Sequence, residues 1–218
     1  MQPAKRSSTL ASDTSGQYGG HFYNKYESSN PIENFLVKGY LSAVLDLARL
    51  TKQKDIHDVG TGEGYVARFL AKHGFNVRGS DYSEDVIKLA QGLSEAEGLN
   101  IKYEVRDIYK LNIEQDKAPI VMCCQSFEHL EDPHSALAML AEVADPYFLV
   151  TIPREPLWRF LNCLRGKYLK NFGNTPGHIQ HWSKRSFVSF LNEHFDIIDV
   201  RAPLPWIAAL CKVRREGM

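Results

Sequence analysis

Ile56-His57-Asp58-Val59-Gly60-Thr61-Gly62-Glu63-Gly64 is the stretch of sequence from which the fold can be deduced. Its apolar start predicts a buried strand, and a helix is predicted to open directly after the glycines, at Tyr65. Glycines at alternate positions remove Cβ atoms where the backbone must bend and where a ligand must lie against the main chain. The N–H groups of the first helical turn point at that ligand. The stretch therefore predicts a ligand-binding turn between a strand and a helix.

The length and composition of the chain are typical of one soluble globular domain. The chain has 218 residues, of which 44% are hydrophobic and 24% charged. Lys and Arg together number 26, as do Asp and Glu, so the whole molecule carries no charge that would steer it to a polyanion. We therefore expect no nucleic-acid partner, although a local basic patch remains compatible with the sequence.

The cysteines and the N-terminal composition indicate a cytoplasmic protein. Cys123 and Cys124 are adjacent within an apolar run, which suits a core strand rather than a disulfide framework or a zinc site. No stretch has the apolar length of a membrane span, and the N-terminus lacks the apolar region of a signal peptide. The composition predicts a disordered tail over residues 1–18 and one domain over residues 19–218.

Predicted strands and helices alternate along the first two thirds of the chain, which favours a parallel sheet covered on both faces. The strands are predicted near residues 55–58, 76–80, 101–105, 120–124 and 147–152, and the helices near 31–50, 64–72, 83–98 and 132–140. Later, a helix is predicted from Ser183 to His194, and two strands over 195–200 and 206–211.

Three predicted strands end in carboxylates, which favours an adenosyl ligand. A phosphate-binding loop would need Gly-Lys-Ser/Thr after the glycines, and this sequence has none. Asp58, Asp81 and Asp107 follow successive strands, and a carboxylate at Asp81 can accept hydrogen bonds from both ribose hydroxyls. A nicotinamide dinucleotide is the alternative ligand. It requires G-x-G-x-x-G spacing, from which Gly64 is displaced, and it gives Asp107 no role.

The residues around the glycines resemble a known family. Asp58 to Gly64 resembles motif I of the class I S-adenosylmethionine-dependent methyltransferases. Phe127 to Pro133 resembles the Glu-His-x-x-Asp-Pro segment after the fourth strand in methyltransferases of the quinone-biosynthesis type, and Gly177 to Ser183 is similar to a later His-containing segment of that group. The resemblance spans about residues 31–214. It implies an α/β fold, a single Rossmann-like domain whose seven-stranded, mostly parallel sheet has an antiparallel last strand and helices on both faces.

The resemblance also implies the cofactor, S-adenosylmethionine, and its contacts. Asp107 would accept from the adenine amino group, Ile108 would pack on the purine face, and Gln125 would lie beside the reacting centre. The predicted cofactor-binding residues are Asp58, Gly60, Thr61, Gly62, Gly64, Asp81, Tyr82, Asp107, Ile108 and Gln125.

The predicted reaction is methyl transfer to a small-molecule or lipid-linked acceptor, with oxygen favoured over carbon or nitrogen. A sulfonium activates its own methyl group, so the protein needs a base only where the acceptor must lose a proton. His129 is the first candidate base, followed by His178 and His181; the alternative for His129 is a structural hydrogen bond. His178 and His181 lack an evident Cys or carboxylate partner, so no metal is predicted. An NAD(P)-dependent oxidoreductase and a non-catalytic nucleotide-binding module remain the alternative functions.

The segment from Arg154 to Arg185, called here the basic segment, is the clue to the acceptor. It carries seven basic residues against a single acid, Glu155. One hypothesis is a solvated basic face on an ordinary helix. The other is a lid or substrate-side insertion for an anionic or lipid-linked acceptor. Apolar residues at helical spacing predict one helical face over 158–172. The basic side chains interleaved with aromatic ones there would suit peripheral contact with an anionic membrane.

Overall fold

The structure, a computed structural model, describes residues 30–215. The predicted tail over residues 1–18 lies outside these described residues. The strands form one seven-stranded sheet in the order β3-β2-β1-β4-β5-β7-β6. They are β1 (Asp55–Val59), β2 (Asn76–Asp81), β3 (Lys102–Val105), β4 (Ala118–Cys124), β5 (Ala144–Pro153), β6 (Phe195–Arg201) and β7 (Trp206–Val213).

Helices cover both faces of this sheet, as predicted. The α-helices are α1 (Pro31–Leu50), α2 (Tyr65–Lys72), α3 (Glu84–Ala96), α4 (Ile113–Asp116), α5 (Pro133–Val143), α6 (Leu157–Leu164) and α7 (Lys184–Leu191). Side chains of α1, α2 and α3 fill the core on one face. Side chains of α5 and α7 fill the core on the other.

The pairing of the strands confirms the predicted fold class. β1 runs parallel to β2 and β4, and β4 runs parallel to β5. β7 is inserted between β5 and β6 and is antiparallel to both, as expected for the last strand. The chain order reverses between β1 and β4, so their C-terminal ends border a crevice of the kind in which open α/β sheets bind ligands.

The single helical face predicted over 158–172 is wrong. α6 ends at Leu164, and Tyr168 and Phe172 adopt left-handed backbone angles with φ of 54° and 49°. The buried Asn162 explains the reversal, because its Nδ2 donates to the carbonyl oxygen of Gly173 at 2.9 Å and draws the returning chain onto α6. A Cβ at residue 173 would collide with the carbonyl oxygen of Arg159, so glycine is required there.

Two further details differ from the sequence-based expectations. α7 ends at Leu191, before the predicted end at His194, and α4 was not predicted because a four-residue helix has too few residues to show a period. Among residues 30–215, no helix has both the length and the apolar character needed to cross a membrane.

Candidate cofactor and active site

The glycine turn after β1 is held by hydrogen bonds to a single carbonyl group of β2. The N–H groups of Gly60 and Thr61 both donate to the main-chain oxygen of Ser80, at 2.8 and 2.9 Å. Gly60, Gly62 and Gly64 all have left-handed φ angles, of 72°, 56° and 70°. Such angles are accessible to glycine at no steric cost, so the turn needs glycine for its backbone as well as for ligand approach.

Two of these glycines also leave room for neighbouring side chains. A Cβ at Gly60 would lie 2.5 Å from Oγ of Ser126, whose hydroxyl donates to the Gly60 carbonyl oxygen at 3.2 Å. A Cβ at Gly64 would collide with the phenol oxygen of Tyr103 on β3. The turn therefore packs against Tyr103 of β3 and against Ser126 in the loop after β4.

Asp81 joins the end of β2 to the glycine turn. Its Oδ2 accepts from the N–H of Gly62 at 3.0 Å, and its Oδ1 accepts from the N–H of Ser83 at 3.1 Å. Burial raises the pKa of this carboxyl, while those N–H donors act in the opposite direction. Each oxygen has a second lone pair, so both can still accept from a pair of hydroxyls. Tyr82, the next residue, is exposed.

Asp58 places a buried acid beneath the turn. Its Oδ2 accepts from the hydroxyl of Thr61 at 2.8 Å, whereas its Oδ1 is buried and accepts no hydrogen bond from the described residues. Burial, reinforced by the charge of Asp81, raises the pKa of Asp58 to about 7. A cationic group placed beside Oδ1 would satisfy this oxygen and favour the ionised carboxylate.

Asp107 and Ile108 lie at the end of β3, as predicted. Oδ1 of Asp107 accepts from the N–H of Tyr109 at 3.0 Å, and its Oδ2 lies 3.4 Å from Nζ of Lys110. The half-buried carboxylate thus caps the short 3-10 helix that it precedes, and Ile108 packs against the core. The N–H of Arg106 donates to the main-chain oxygen of Asp81, which holds the two strand ends together.

Gln125 occupies the end of β4 in a strained conformation. Its φ is 57°, a left-handed angle that costs a non-glycine residue on the order of 1–3 kcal/mol. Its N–H donates to the main-chain oxygen of Thr151 at 2.9 Å, and its Nε2 donates to Oγ1 of Thr151 at 3.2 Å. The same Oγ1 lies 3.1 Å from the hydroxyl of Tyr40, so α1 and β5 together hold Gln125 in place.

Two of the three candidate histidines lie together. The rings of His129 and His178 are edge to face with their centroids 4.9 Å apart. Nδ1 of His129 lies 2.9 Å from the carbonyl oxygen of Gly177, which can only accept, so Nδ1 carries the proton and Nε2 keeps its lone pair. His181 forms a separate contact, in which Nε2 donates to Oδ1 of Asn174 at 2.8 Å.

Glu128 is a carboxylate neighbour of the histidines that the sequence did not reveal. Ligand atoms of Glu128, His129 and His178 all lie within 4.8 Å of one another. The main-chain oxygen of Glu128 accepts from the N–H groups of Ile179 and Gln180, at 2.9 and 3.1 Å. The basic segment is therefore fastened to the loop after β4, beside the candidate active site.

A row of aromatic rings leads from α1 to this histidine pair. Tyr40 and Trp206 have ring centroids 5.0 Å apart, and Trp206 lies 5.8 Å from Trp158. The Trp158 ring is stacked on His178 at 6.1 Å. Tyr40 and Trp206 are buried in the core, whereas Trp158 is partly exposed. The sequence did not predict this row, because neither Tyr40 nor Trp206 belongs to a motif and the fold alone brings them together.

Comparisons with known proteins show what the chain is similar to. Residues 56–147 match the family model described as a methyltransferase domain. A ubiquinone biosynthesis O-methyltransferase from Coxiella burnetii is 37% identical over 107 residues, which is 48% of this chain and 46% of the relative. The chain thus spans about half the length of the curated relatives it matches.

Solved structures share the fold over most of the chain. A magnesium protoporphyrin IX methyltransferase from Synechocystis, solved with bound S-adenosylhomocysteine, has a TM-score of 0.64 at 22% identity and covers 87% of this chain and 91% of its own. A S-adenosylmethionine-dependent methyltransferase from Aquifex aeolicus has a TM-score of 0.60 at 16% identity, over 86% of this chain and 100% of its own.

Substituting Gly64 should damage the turn, whereas a helical glycine should tolerate the same change. We expect Gly64→Ala to lower the free energy of unfolding by more than the roughly 1–2 kcal/mol of a left-handed alanine, because its Cβ also meets Tyr103. Gly92→Ala, in the exposed face of α3 with no atom within 4 Å of the added Cβ, should raise it by about 0.5–1 kcal/mol. Urea unfolding of both variants checks this. Equal stabilities would show that the turn is not constrained as described.

Proposed function

We propose that this chain, a class I S-adenosylmethionine-dependent methyltransferase, transfers the methyl group of S-adenosylmethionine to an oxygen of a small-molecule or lipid-linked aromatic acceptor. The observation that carries the proposal is the pairing of Asp81 with the glycine turn, next to the buried Oδ1 of Asp58, which accepts no hydrogen bond within residues 30–215. The O-methyltransferase named among the relatives supports oxygen as the acceptor atom. Neither the matched family nor the glycine spacing supports the oxidoreductase alternative.

The residues at the turn fit S-adenosylmethionine by the chemistry of their donors and acceptors. The two oxygens of Asp81 suit a pair of ribose hydroxyls, and Asp107 with Ile108 lies at the next strand end, where we place the adenine. Burial raises the pKa of Asp58 to about 7, and the cationic end of the cofactor would favour its ionised form. The bound cofactor would supply an activated methyl group, because its sulfonium becomes a neutral thioether leaving group.

The aromatic row favours a flat, aromatic acceptor. Tyr40, Trp206 and His178 are buried, so Trp158, which is partly exposed, is the ring of this row that can meet an acceptor. The Trp158 ring would gain from an offset-stacked or edge-to-face contact with another ring. A phenol or quinol stacked on Trp158 would have its hydroxyl near the histidine pair, where His129 is the proposed base.

His129 is the proposed general base for such a hydroxyl. Its Nδ1 is committed to Gly177, so the lone pair of Nε2 is the one that can take a proton. Nε2 would take the proton of the acceptor hydroxyl as that oxygen is methylated. His178 packs against the His129 ring and fixes its orientation.

The first experiment measures the cofactor itself. Calorimetry should detect binding of S-adenosylhomocysteine and no binding of NAD. Asp81→Ala should weaken the binding of S-adenosylhomocysteine by about 100-fold, or about 2.7 kcal/mol, because it removes charge-assisted hydrogen bonds to the ribose. Asp85→Ala, in the first turn of α3, is the matched control and should keep the wild-type dissociation constant. Heat with NAD but none with S-adenosylhomocysteine would overturn the proposed function, and a lack of turnover with phenols and quinone precursors would leave a non-catalytic binding module.

The second experiment separates a base from a structural histidine. His129→Gln should lower kcat for an ordinary catechol by about 100- to 10,000-fold. The loss should be much smaller for a nitrocatechol, whose hydroxyl is already ionised. His134→Gln, at the exposed start of α5, is the control. Equal losses with both acceptors would argue for a structural role, and loss of wild-type activity on adding a chelator would assign the histidine to a metal instead.

We also propose that the basic segment meets an anionic membrane surface that holds a lipid-linked acceptor. Phe172 and Leu164 are 78% and 67% exposed, and Phe35 in the first turns of α1 is 76% exposed. An ion pair of 2.8 Å between Arg165 and Glu33 joins the end of α6 to the start of α1. Apolar side chains among basic ones suit the interface of an anionic bilayer. The expected cytoplasmic location is compatible with the four free cysteines.

Flotation with vesicles tests this contact. Replacing Lys167 and Lys170 with Gln should weaken binding to phosphatidylglycerol vesicles by about 1 kcal/mol per charge and leave weak binding to phosphatidylcholine unchanged. Lys88→Gln with Lys102→Gln, on α3 and β3, is the control pair of equal charge change. If vesicle binding and the KM of the acceptor both stay at wild-type values in the Lys167 and Lys170 variant, the membrane proposal is wrong.

A further inference from the structure

We infer that His57 is a positioning residue of the cofactor site, acting through Ser80 on the glycine turn and on Asp81. This inference rests on the proposed cofactor. His57 lies on β1 within the decisive stretch, yet it contacts neither the turn nor the predicted acceptor site. It is buried on the face of the sheet opposite to Asp58, where an apolar side chain would fill the core without the cost of burying polar atoms.

Both ring nitrogens of His57 make defined hydrogen bonds. Nδ1 lies 2.8 Å from the main-chain oxygen of Asp116 at the end of α4, and Nε2 lies 2.9 Å from Oγ of Ser80. The carbonyl oxygen can only accept, so Nδ1 carries the proton and Nε2 accepts from the Ser80 hydroxyl. The arrangement therefore fixes one orientation of the ring and one rotamer of Ser80.

Ser80 is the point at which this support reaches the cofactor site. Its main-chain oxygen receives the N–H groups of both Gly60 and Thr61. The next residue, Asp81, receives the N–H of Gly62. A shift of Ser80 would displace the backbone that faces the cofactor and the acid that faces its ribose at the same time.

The surroundings of His57 keep this pattern unchanged over the physiological pH range. Burial lowers the pKa of His57 to about 4, the hydrogen bond to Asp116 opposes that shift, and the charge of Arg78 adds to it. Glu104 and the carboxylate of Asp116 also face the ring and favour the charged form more weakly. Arg78 is itself fixed, because its guanidinium donates to the carbonyl oxygens of Gln115 and Lys117 around the end of α4.

A double-mutant cycle on cofactor affinity tests the inference. His57→Phe keeps a ring of similar shape without hydrogen bonds, and Ser80→Ala removes the other partner. We expect each to raise the dissociation constant of S-adenosylhomocysteine about tenfold, as the loss of a buried hydrogen bond would, and the double variant to do no more than either alone. The KM of S-adenosylmethionine should rise with them, while kcat at saturating cofactor stays unchanged.

Thr51→Ala is the matched control, since it removes a buried hydrogen bond to Ala48 at the opposite end of the sheet. It should lower stability and leave cofactor affinity intact, which is the result of a purely structural role. The same result for His57→Phe and Ser80→Ala, or independent effects that add in the double variant, would overturn the inference. If His57→Phe fails to fold, the affinity of Ser80→Ala for S-adenosylhomocysteine tests the inference by itself. A wild-type protein that binds no S-adenosylhomocysteine would instead refute the proposed function.

Discussion

The pairing of β1 with β2 is the constraint on which the rest of the site depends. A turn built from left-handed glycines has N–H groups outside the regular hydrogen bonds of its own strand and helix, and each needs an acceptor from elsewhere. The register that places Val59 opposite Ser80 supplies the Ser80 carbonyl to two of these groups, and Asp81 supplies a carboxylate to a third. The acid that we assign to the ribose is thus also a structural support of the turn.

Most of the fold could be predicted from the sequence because its signals are local. The strands and helices around the glycines differ in period, and the caps at Asn30, Ser83 and Asp132 each accept from a main-chain N–H near the start of a helix. The carboxylates at the ends of β1, β2 and β3 could be placed together because parallel strands end at one edge of a sheet. The strand topology therefore predicts that these three carboxylates form one candidate site.

The remaining features depend on contacts that no short stretch of sequence contains. The apolar spacing over 158–172 suggests a helix, but Asn162 binds the chain that returns at Gly173, and this tertiary bond outweighs the helical pattern. The aromatic row joins Tyr40 to Trp206, residues from opposite ends of the described chain. His57 shows the same limit, since only the structure pairs it with Ser80 and Asp116.

The two halves of the site are built in different ways, and this difference bears on what each can recognise. The cofactor side comes from consecutive strand ends whose polar groups bond to one another, and it lies within the 56–147 region that matches the methyltransferase domain model. The proposed acceptor side comes mainly from the basic segment, which lies outside that region and is joined to the loop after β4 by hydrogen bonds at Gly177, Ile179 and Gln180. Because those bonds are mostly to main-chain atoms, side chains of the basic segment can change without loosening the cofactor site. A family with one cofactor could therefore acquire different acceptors by altering this segment alone.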